Sequence, residues 1–455
     1  MNLIRKTARK FYYTIPTRYR MGLEYRALRK FLQEAQWWPA ARITEWQRQR
    51  VQKIVRYAYA NVPGYHALYK EAGIAPDDVR SLADFKQLPL VDKKLLRDNL
   101  ADFTSRAIPR RRRIYVTTGG STGEPLGFYH THGNHAREAA FLHMSFERSG
   151  WRPDESLAIL RGAFIGTEQK FWEFDRDKKQ LLLSSYFLTE RAYEKYIQKI
   201  LEHKPRHLSA YPSAATMLVD VMLTRGEAGR INFKAILLES ENFYDWQKEK
   251  LRAAFPNAKI FGAYGHTEQA VLAAMCEHSD AYHVWPFYGY AEIIDAAGKE
   301  AEPGESGEVL ATSFWNEATP FIRYRTTDLA RKGASHCEQC GRQFQLLDAI
   351  EGRLQEFIVT KTGRYISMTA LNMHSEVFDH VRQFQFYQDT AGKIVFKVIR
   401  KEGYSENDSR MIQSELRKKL GEDVELSLAF VEDIPRTARG KQRFLEQKLE
   451  LAHGD

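Results

Sequence analysis

Thr117-Thr118-Gly119-Gly120-Ser121-Thr122-Gly123-Glu124-Pro125 is the stretch on which the reading of this chain turns. Three glycines permit backbone conformations that a Cβ forbids and let N–H groups approach an anion, while the Thr and Ser hydroxyls add donors. In chemical terms this is a loop that cradles phosphate; an ordinary solvent-exposed turn is the alternative. The G-x-x-x-x-G-K-[ST] spacing of the kinase and GTPase P-loop is absent, and no lysine closes the motif. The flanks Arg113-Ile114-Tyr115-Val116 and Leu126-Gly127-Phe128-Tyr129 alternate in polarity, which predicts two short strands with the loop at the tip of their hairpin.

Outward from this loop the pattern alternates. Helical spacing covers Trp46 to Ala60 and His132 to Ser149, and the chain then reads as strand Ser156 to Leu160, strand Leu181 to Tyr186 and helix Glu190 to His203. Strand His207 to Ala210, helix Ser213 to Arg225, strand Ala235 to Leu238, helix Tyr244 to Ala254 and strand Lys259 to Phe261 follow. Alternation of this kind predicts an α/β fold with a largely parallel sheet, and ligands in such sheets gather at strand ends. After Tyr290 short glycine-broken strands, Ala291 to Asp295, Gly307 to Ser313, Phe321 to Tyr324 and Gln343 to Leu347, predict a smaller β subdomain. Beyond Gly352 a compact α+β unit is expected, with helices over Thr369 to Phe378 and Glu406 to Leu420.

The loop has company downstream in Gly262-Ala263-Tyr264-Gly265-His266-Thr267-Glu268, Arg323-Tyr324-Arg325-Thr326-Thr327-Asp328, Glu351-Gly352-Arg353 and Pro435-Arg436-Thr437-Ala438-Arg439-Gly440-Lys441. In this order and at these separations the motifs resemble those of the adenylate-forming superfamily of acyl-CoA ligases, luciferases and peptide-synthetase adenylation domains. The likeness is closest to its phenylacetate-CoA ligase branch and CapK-like members, and it spans the chain from about Trp46 onward. It implies an adenylation core at 46–352 with the β subdomain at about 285–350 and a small mobile lid at 353–455; residues 1–45, ahead of it, read by their charge as a basic N-terminal arm and helix.

Joining a carboxylate to a thiol in water is uphill, so the carboxylate first needs a leaving group. Attack on the α-phosphorus of ATP supplies one, and the site must then hold three phosphates, neutralise developing charge and fix the ribose. Thr117, Thr118, Gly119, Gly120, Ser121, Thr122 and Gly123 would hold the β and γ phosphates. The resemblance assigns Tyr264, with Gly265, to the adenine, Thr267 to a phosphate oxygen and Glu268 to Mg²⁺; a hard cation and a purine face suit those groups. Glu241 joins the nucleotide-binding set, Asp328 would take the ribose hydroxyls, and Arg353 would lie at the domain junction. Lys441 would reach the carboxylate oxygen and α-phosphate as charge develops between them. Gln355, where relatives carry aspartate or lysine, is the implied pivot of the lid, and Glu124 stands where many members have lysine. The acyl pocket is expected from 210–213, 236–243 and 263–266, with Tyr211, Phe243 and Tyr244 making an aromatic acid plausible. CoA is the expected thiol, with a sugar, amine or carrier protein as the alternative acceptor.

Cys337-Glu338-Gln339-Cys340 is a C-x-x-C knuckle, and Cys276 is the remaining sulfur, followed by His278 and His283. A Cys3His set would close a tetrahedral zinc site, against three reduced cysteines as the plain alternative. The resemblance selects His283, seven residues past Cys276.

A chain of 455 residues with 43% hydrophobic and 28% charged residues has room for roughly two or three domains and a full core. No apolar run approaches the ~18 residues of a membrane span, and no signal-peptide core follows Met1, so a cytoplasmic location is expected. The net charge of +10 is partly concentrated in Arg5, Lys6, Arg9, Lys10, Arg18, Arg20, Arg26, Arg29 and Lys30, interleaved with Phe11, Tyr12, Tyr13 and Tyr19. Such an arm reads as a solvated segment or as a surface for an anionic membrane. Specific nucleic-acid binding is not expected, and a second copy of the chain stays open as a partner. A non-catalytic basic protein on a vestigial nucleotide fold is the competing class; the retained set Glu268, Asp328, Arg353 and Lys441 weighs against it.

Overall fold

The apolar runs read as strands assemble into one sheet in a computed structural model that describes residues 9, 11–118, 126–161, 171–185, 190–353, 357–363, 365–367, 371, 376–378, 380–435 and 443–449. The chain enters through helices α1 (Gly22–Ala35), α2 (Ala40–Asn61) and α3 (Pro63–Glu71), then forms strands β1 (Arg113–Thr117) and β2 (Gly127–Thr131) and helix α4 (Gly133–Phe146). Strands β3 (Leu157–Leu160), β4 (Trp172–Asp175) and β5 (Gln180–Leu183) come next. Helix and strand then alternate through α5 (Glu190–His203), β6 (His207–Ala210), α6 (Pro212–Thr224), β7 (Ala235–Glu239), α7 (Asp245–Ala254) and β8 (Lys259–Gly265). Strands β9 (Leu272–Met275), β10 (Tyr282–Val284), β11 (Gly289–Ile294), β12 (Ser306–Ser313), β13 (Tyr324–Lys332) and β14 (Leu346–Arg353) follow.

These build a 12-stranded sheet in the order β11-β12-β13-β14-β10-β9-β8-β7-β6-β3-β5-β4. Strands β5, β3, β6, β7 and β8 run parallel, and the direction reverses at β8 and β9. The β subdomain expected within the core at about 285–350 supplies most of the antiparallel flank of this same sheet. Its two halves meet through β10, a three-residue strand that pairs with β9 at three positions and with β14 at two.

Successive residues of β7 show why the central strands read as unbroken apolar runs. Ala235 and Leu237 belong to a core with Val51, Ile54, Tyr65 and Tyr69 of α2 and α3, whereas Ile236 and Leu238 belong to one with Tyr193, Tyr196, Leu218 and Leu251 of α5, α6 and α7. A strand covered on both faces loses the polar alternation of a half-exposed one. From Gly22 the N-terminal segment is a packed helix: α1 buries Tyr25, Leu28, Leu32 and Ala35 in a core with Phe141 and Met144 of α4.

Beyond β14 lie the pair β15 (Phe357–Val359) and β16 (Tyr365–Ser367), and then strands β17 (Val381–Thr390) and β18 (Lys393–Arg400). Helix α8 (Glu406–Leu420) and strands β19 (Glu425–Phe430) and β20 (Leu445–Gln447) complete an α+β unit whose sheet order is β19-β18-β17-β20. The helix expected over 369–378 falls mostly outside the described residues, and its last three, Glu376–Phe378, form a 3-10 turn. Tyr244 and Trp246, at the start of α7, enter the core of this unit, with the Tyr244 ring 5.7 Å from that of Phe444.

Candidate nucleotide and acyl site

The site is organised by the reversal at β8. After Gly265 the chain turns over His266 to Val271 and returns as β9, with Gly265 paired to Leu272 and Tyr264 to Ala273. The turn therefore joins two antiparallel strands. Thr267 sits half-buried within it, and Gln269 takes a left-handed φ of 54°.

Two phenols brace this turn against β13. Tyr264 donates its hydroxyl to Asp328 Oδ2 at 2.8 Å, and Tyr324 donates in the opposite sense to Glu268 Oε1 at 3.2 Å. Both carboxylates are buried, so each is fixed in a medium where a hydrogen bond counts for more than in water. Asp328 lies within β13, and the strand expected at 321–324 begins where that segment ends. Just before it, Arg323 takes a φ of 44° and forms a buried fork with Glu292 at 2.9 and 3.1 Å. The backbone of Arg353 on β14 is in register with Asp328.

The glycine-rich hairpin abuts the same turn. Thr117 pairs with Gly127, and Thr118 closes the stem twice, through its N–H to Leu126 O and its hydroxyl from Leu126 N, each at 2.9 Å. Gly119, Gly120, Ser121, Thr122 and Gly123 lie outside the described residues, as do Lys441 and Gln355. On β2, His130 faces Glu268, and burial pushes its imidazole down to about 4, so it is neutral near neutral pH. Asn134, at the start of α4, accepts from Thr131 N at 3.1 Å and donates to Gln269 Oε1 at 3.1 Å, tying hairpin, helix and turn together.

At the carboxyl ends of the parallel strands, Glu241 accepts from Ser213 N at 3.0 Å, the natural place for a carboxylate at the N-terminus of α6. Arg161 bridges Glu239 of β7 and Ser209 of β6, both at 2.9 Å. Glu138 of α4 accepts from Tyr288, and burial pushes its carboxyl up to about 7. Tyr324, Arg161 and Glu138 have no assigned role in the sequence-derived site, whereas His266 falls at the end of the expected acyl-pocket stretch 263–266. Tyr324 stood inside a quoted motif, while Glu138 carries no local signal at all. Of the expected pocket aromatics, Tyr244 is taken up by the C-terminal unit.

A second cluster joins Cys276, His283, Cys337 and Cys340, whose ligand atoms all lie within 4.8 Å of one another. Cys276 Sγ is 3.8 Å from Cys337 Sγ, and Cys340 Sγ is 3.6 Å from His283 Nε2. Zinc bonds of about 2.3 Å to sulfur and about 2.0 Å to nitrogen give tetrahedral edges of about 3.8 Å and about 3.5 Å, so the donor set fits that ion. His283 Nδ1 is 3.0 Å from Arg148 Nη1, and Arg342 joins Glu277 at 2.7 Å and Gln36 of the α1 end at 3.0 Å. The cluster sits at the β10 junction, with Cys276 directly after β9, His283 in β10 and the knuckle ahead of β14.

A sheet that reverses beside a glycine-rich hairpin, with an aromatic on the strand ahead of the reversing turn and a carboxylate within it, is the ground plan of an adenylate-forming enzyme. Residues 36–315 match the family model described as AMP-binding enzyme, and residues 358–448 match the CapK C-terminal domain. The chain belongs to the AMP-binding enzyme family, in its phenylacetate-CoA ligase-like and CapK-like branch. It is 26% identical over 343 residues to a phenylacetate-coenzyme A ligase of Escherichia coli (strain K12), covering 74% of this chain and 76% of that protein. It is 24% identical over 410 residues to Protein CapK of Staphylococcus aureus, covering 88% of each. Among solved structures, a 2-hydroxyisobutyryl-CoA ligase in the postadenylation state with R3-HIB-AMP superposes with a TM-score of 0.71 at 20% identity, covering 90% of both chains.

Proposed function

We propose that the chain activates a small carboxylic acid with ATP and passes the acyl group to the thiol of CoA. A carboxylate oxygen of the acid attacks the α-phosphorus, the bond to the β-phosphate breaks and pyrophosphate leaves; the thiol sulfur then displaces AMP from the acyl carbon, giving up its proton. The observation that carries this reading is the reciprocal brace of Tyr264 on Asp328 and Tyr324 on Glu268. It holds an aromatic face and two carboxylates in one buried corner beside the stem of the glycine loop.

In this scheme Tyr264 lies against the adenine, Asp328 takes the ribose hydroxyls, and Glu268, supported by Tyr324, holds Mg²⁺. That ion would screen the phosphate charge. Thr117, Thr118, Ser121, Thr122 and Thr267 hold phosphate oxygens, and Arg353 meets the nucleotide where the C-terminal unit begins. Lys441 stabilises the charge that develops between carboxylate and α-phosphate. Cys276, His283, Cys337 and Cys340 hold a structural zinc. Transfer of the acyl group to a sugar, amine or carrier protein is favoured by one observation, the CapK match of the C-terminal unit.

The test is carboxylate-dependent exchange of labelled pyrophosphate into ATP over aromatic, aliphatic and hydroxy acids, followed by product analysis with CoA. Wild type exchanges with at least one class, and Lys441→Ala loses roughly a hundredfold to a thousandfold in rate while still binding ATP. Unchanged turnover in Lys441→Ala would refute the assigned role.

A further inference from the structure

We propose that the outer face of the N-terminal helices is a docking surface for an anionic lipid bilayer. The inner face of this segment is committed to the body of the protein. Beyond the core contacts of α1, Thr17 Oγ1 donates to Asp154 Oδ1 at 2.5 Å, Arg20 pairs with the same carboxylate at 2.9 Å and Arg29 pairs with Glu147 at 2.8 Å. Glu24, the acid of the first turn of α1, turns to Arg137 at 3.3 Å.

At about 100° per residue, positions 19, 23, 26 and 30 fall on the side opposite the buried positions 25, 28, 32 and 35. Tyr19 is 49% exposed and Leu23 76% exposed, and Arg26 and Lys30 are exposed beside them. The helix breaks at Gly22, yet Arg18 and Arg26 both lie over the Tyr19 ring, at 4.8 and 5.3 Å, so the groups form one patch across the break. Phe11, 70% exposed, and Tyr12, linked to the patch by Arg20 over its ring at 5.6 Å, extend it. Glu34 is the acid at its margin.

Cations interleaved with exposed apolar groups on one helical face match the headgroup layer of a bilayer. Guanidinium and ammonium groups meet lipid phosphate and carboxylate, while Leu23, Tyr19 and Phe11 enter the acyl boundary. The net charge of +10 adds attraction at long range.

The test is co-sedimentation of the full chain with phosphatidylcholine vesicles with and without phosphatidylserine, over a salt series. Wild type sediments only with the anionic vesicles and less as salt rises. The variant Arg18→Glu/Arg26→Glu/Lys30→Glu loses roughly a hundredfold in partitioning. Tyr19→Ala/Leu23→Ala, with all charges intact, loses binding even at low salt, which a purely electrostatic contact would not. Arg18→Lys/Arg26→Lys retains it, and thermal unfolding is unchanged throughout. Should the charge reversal fail to fold, the Tyr19/Leu23 pair and the lysine variant decide. Absence of sedimentation with anionic vesicles, or undiminished binding by the reversed or apolar variant, overturns the proposal. Binding of single-stranded RNA with the same dependence on these residues, without vesicle binding, would replace it with a nucleic-acid surface.

Discussion

Replacing Arg323 by Met tests how the ribose-side strand is held. Its guanidinium forks onto Glu292 at 2.9 and 3.1 Å and reaches Leu88 O at 2.6 Å, and both members of the pair are nearly fully buried, Glu292 at 4% exposure. Met is chosen because φ at this position is 44°, where a β-branched side chain adds strain. Loss of the arginine strands a buried carboxylate, a change that costs about 3–5 kcal/mol. Removing both charges, as Arg323→Met/Glu292→Met, leaves no stranded ion and restores at least ~2 kcal/mol of that loss. Urea unfolding followed by tryptophan fluorescence measures both. Because β13 begins at the next residue and carries Tyr324 and Asp328, the KM for ATP rises in the single variant and returns toward wild type in the double. A single variant within about 1 kcal/mol of wild type, or a double variant as unstable as the sum of the two singles, would refute the reasoning.

Two further outcomes are expected. Burial holds His130 and His143 down to about 4 from 6.5, so the unfolded chain takes up their protons first; their stabilisation is present above about pH 6.5 and lost as pH falls toward 4. Glu138, raised from 4.5 to about 7, runs the other way, its contribution full below pH 4.5 and lost as pH rises through 7. Two imidazoles against one carboxyl make the urea midpoint fall between pH 6.5 and 4.5, and a midpoint that rises over that interval contradicts the assignment. For the cysteine cluster, protein purified without chelator carries about one zinc per chain by elemental analysis, and Cys340→Ser loses it; a full equivalent retained by that variant rejects the tetrahedral site.

Much of the fold was legible because it is written locally. The limits of α5 and β6 match the sequence reading to the residue, since helical periodicity and a short apolar run bounded by polar residues are local signals. The reversal at β8 is not local: Leu272-Ala273-Ala274-Met275 looks the same whichever way it pairs, and β10, at three residues, is too short to show a period. The antiparallel flank therefore read as a smaller β subdomain, without its continuity with the parallel strands. The site divides likewise. Tyr264, Glu268 and Asp328 were legible as motifs, but Tyr324 gains its role only when β13 meets the turn. Tyr244, read as a pocket aromatic, finds Phe444 some 200 positions away, a pairing no window of sequence contains. His283 was found because the resemblance placed it, and the tetrahedral edges agree.

The short strand β10 has a mechanical consequence. A sheet's resistance to shear grows with the hydrogen bonds along each boundary, and here the backbone ladder between β14 and β9 runs through β10 alone, with two pairs on one side and three on the other. Cys276, His283, Cys337 and Cys340 come from beside or within the three strands that meet at this weak boundary. An ion held by those four residues would act as a rivet through it, deciding whether β13, with Tyr324 and Asp328, and β8, with Tyr264, answer strain as one body or as two.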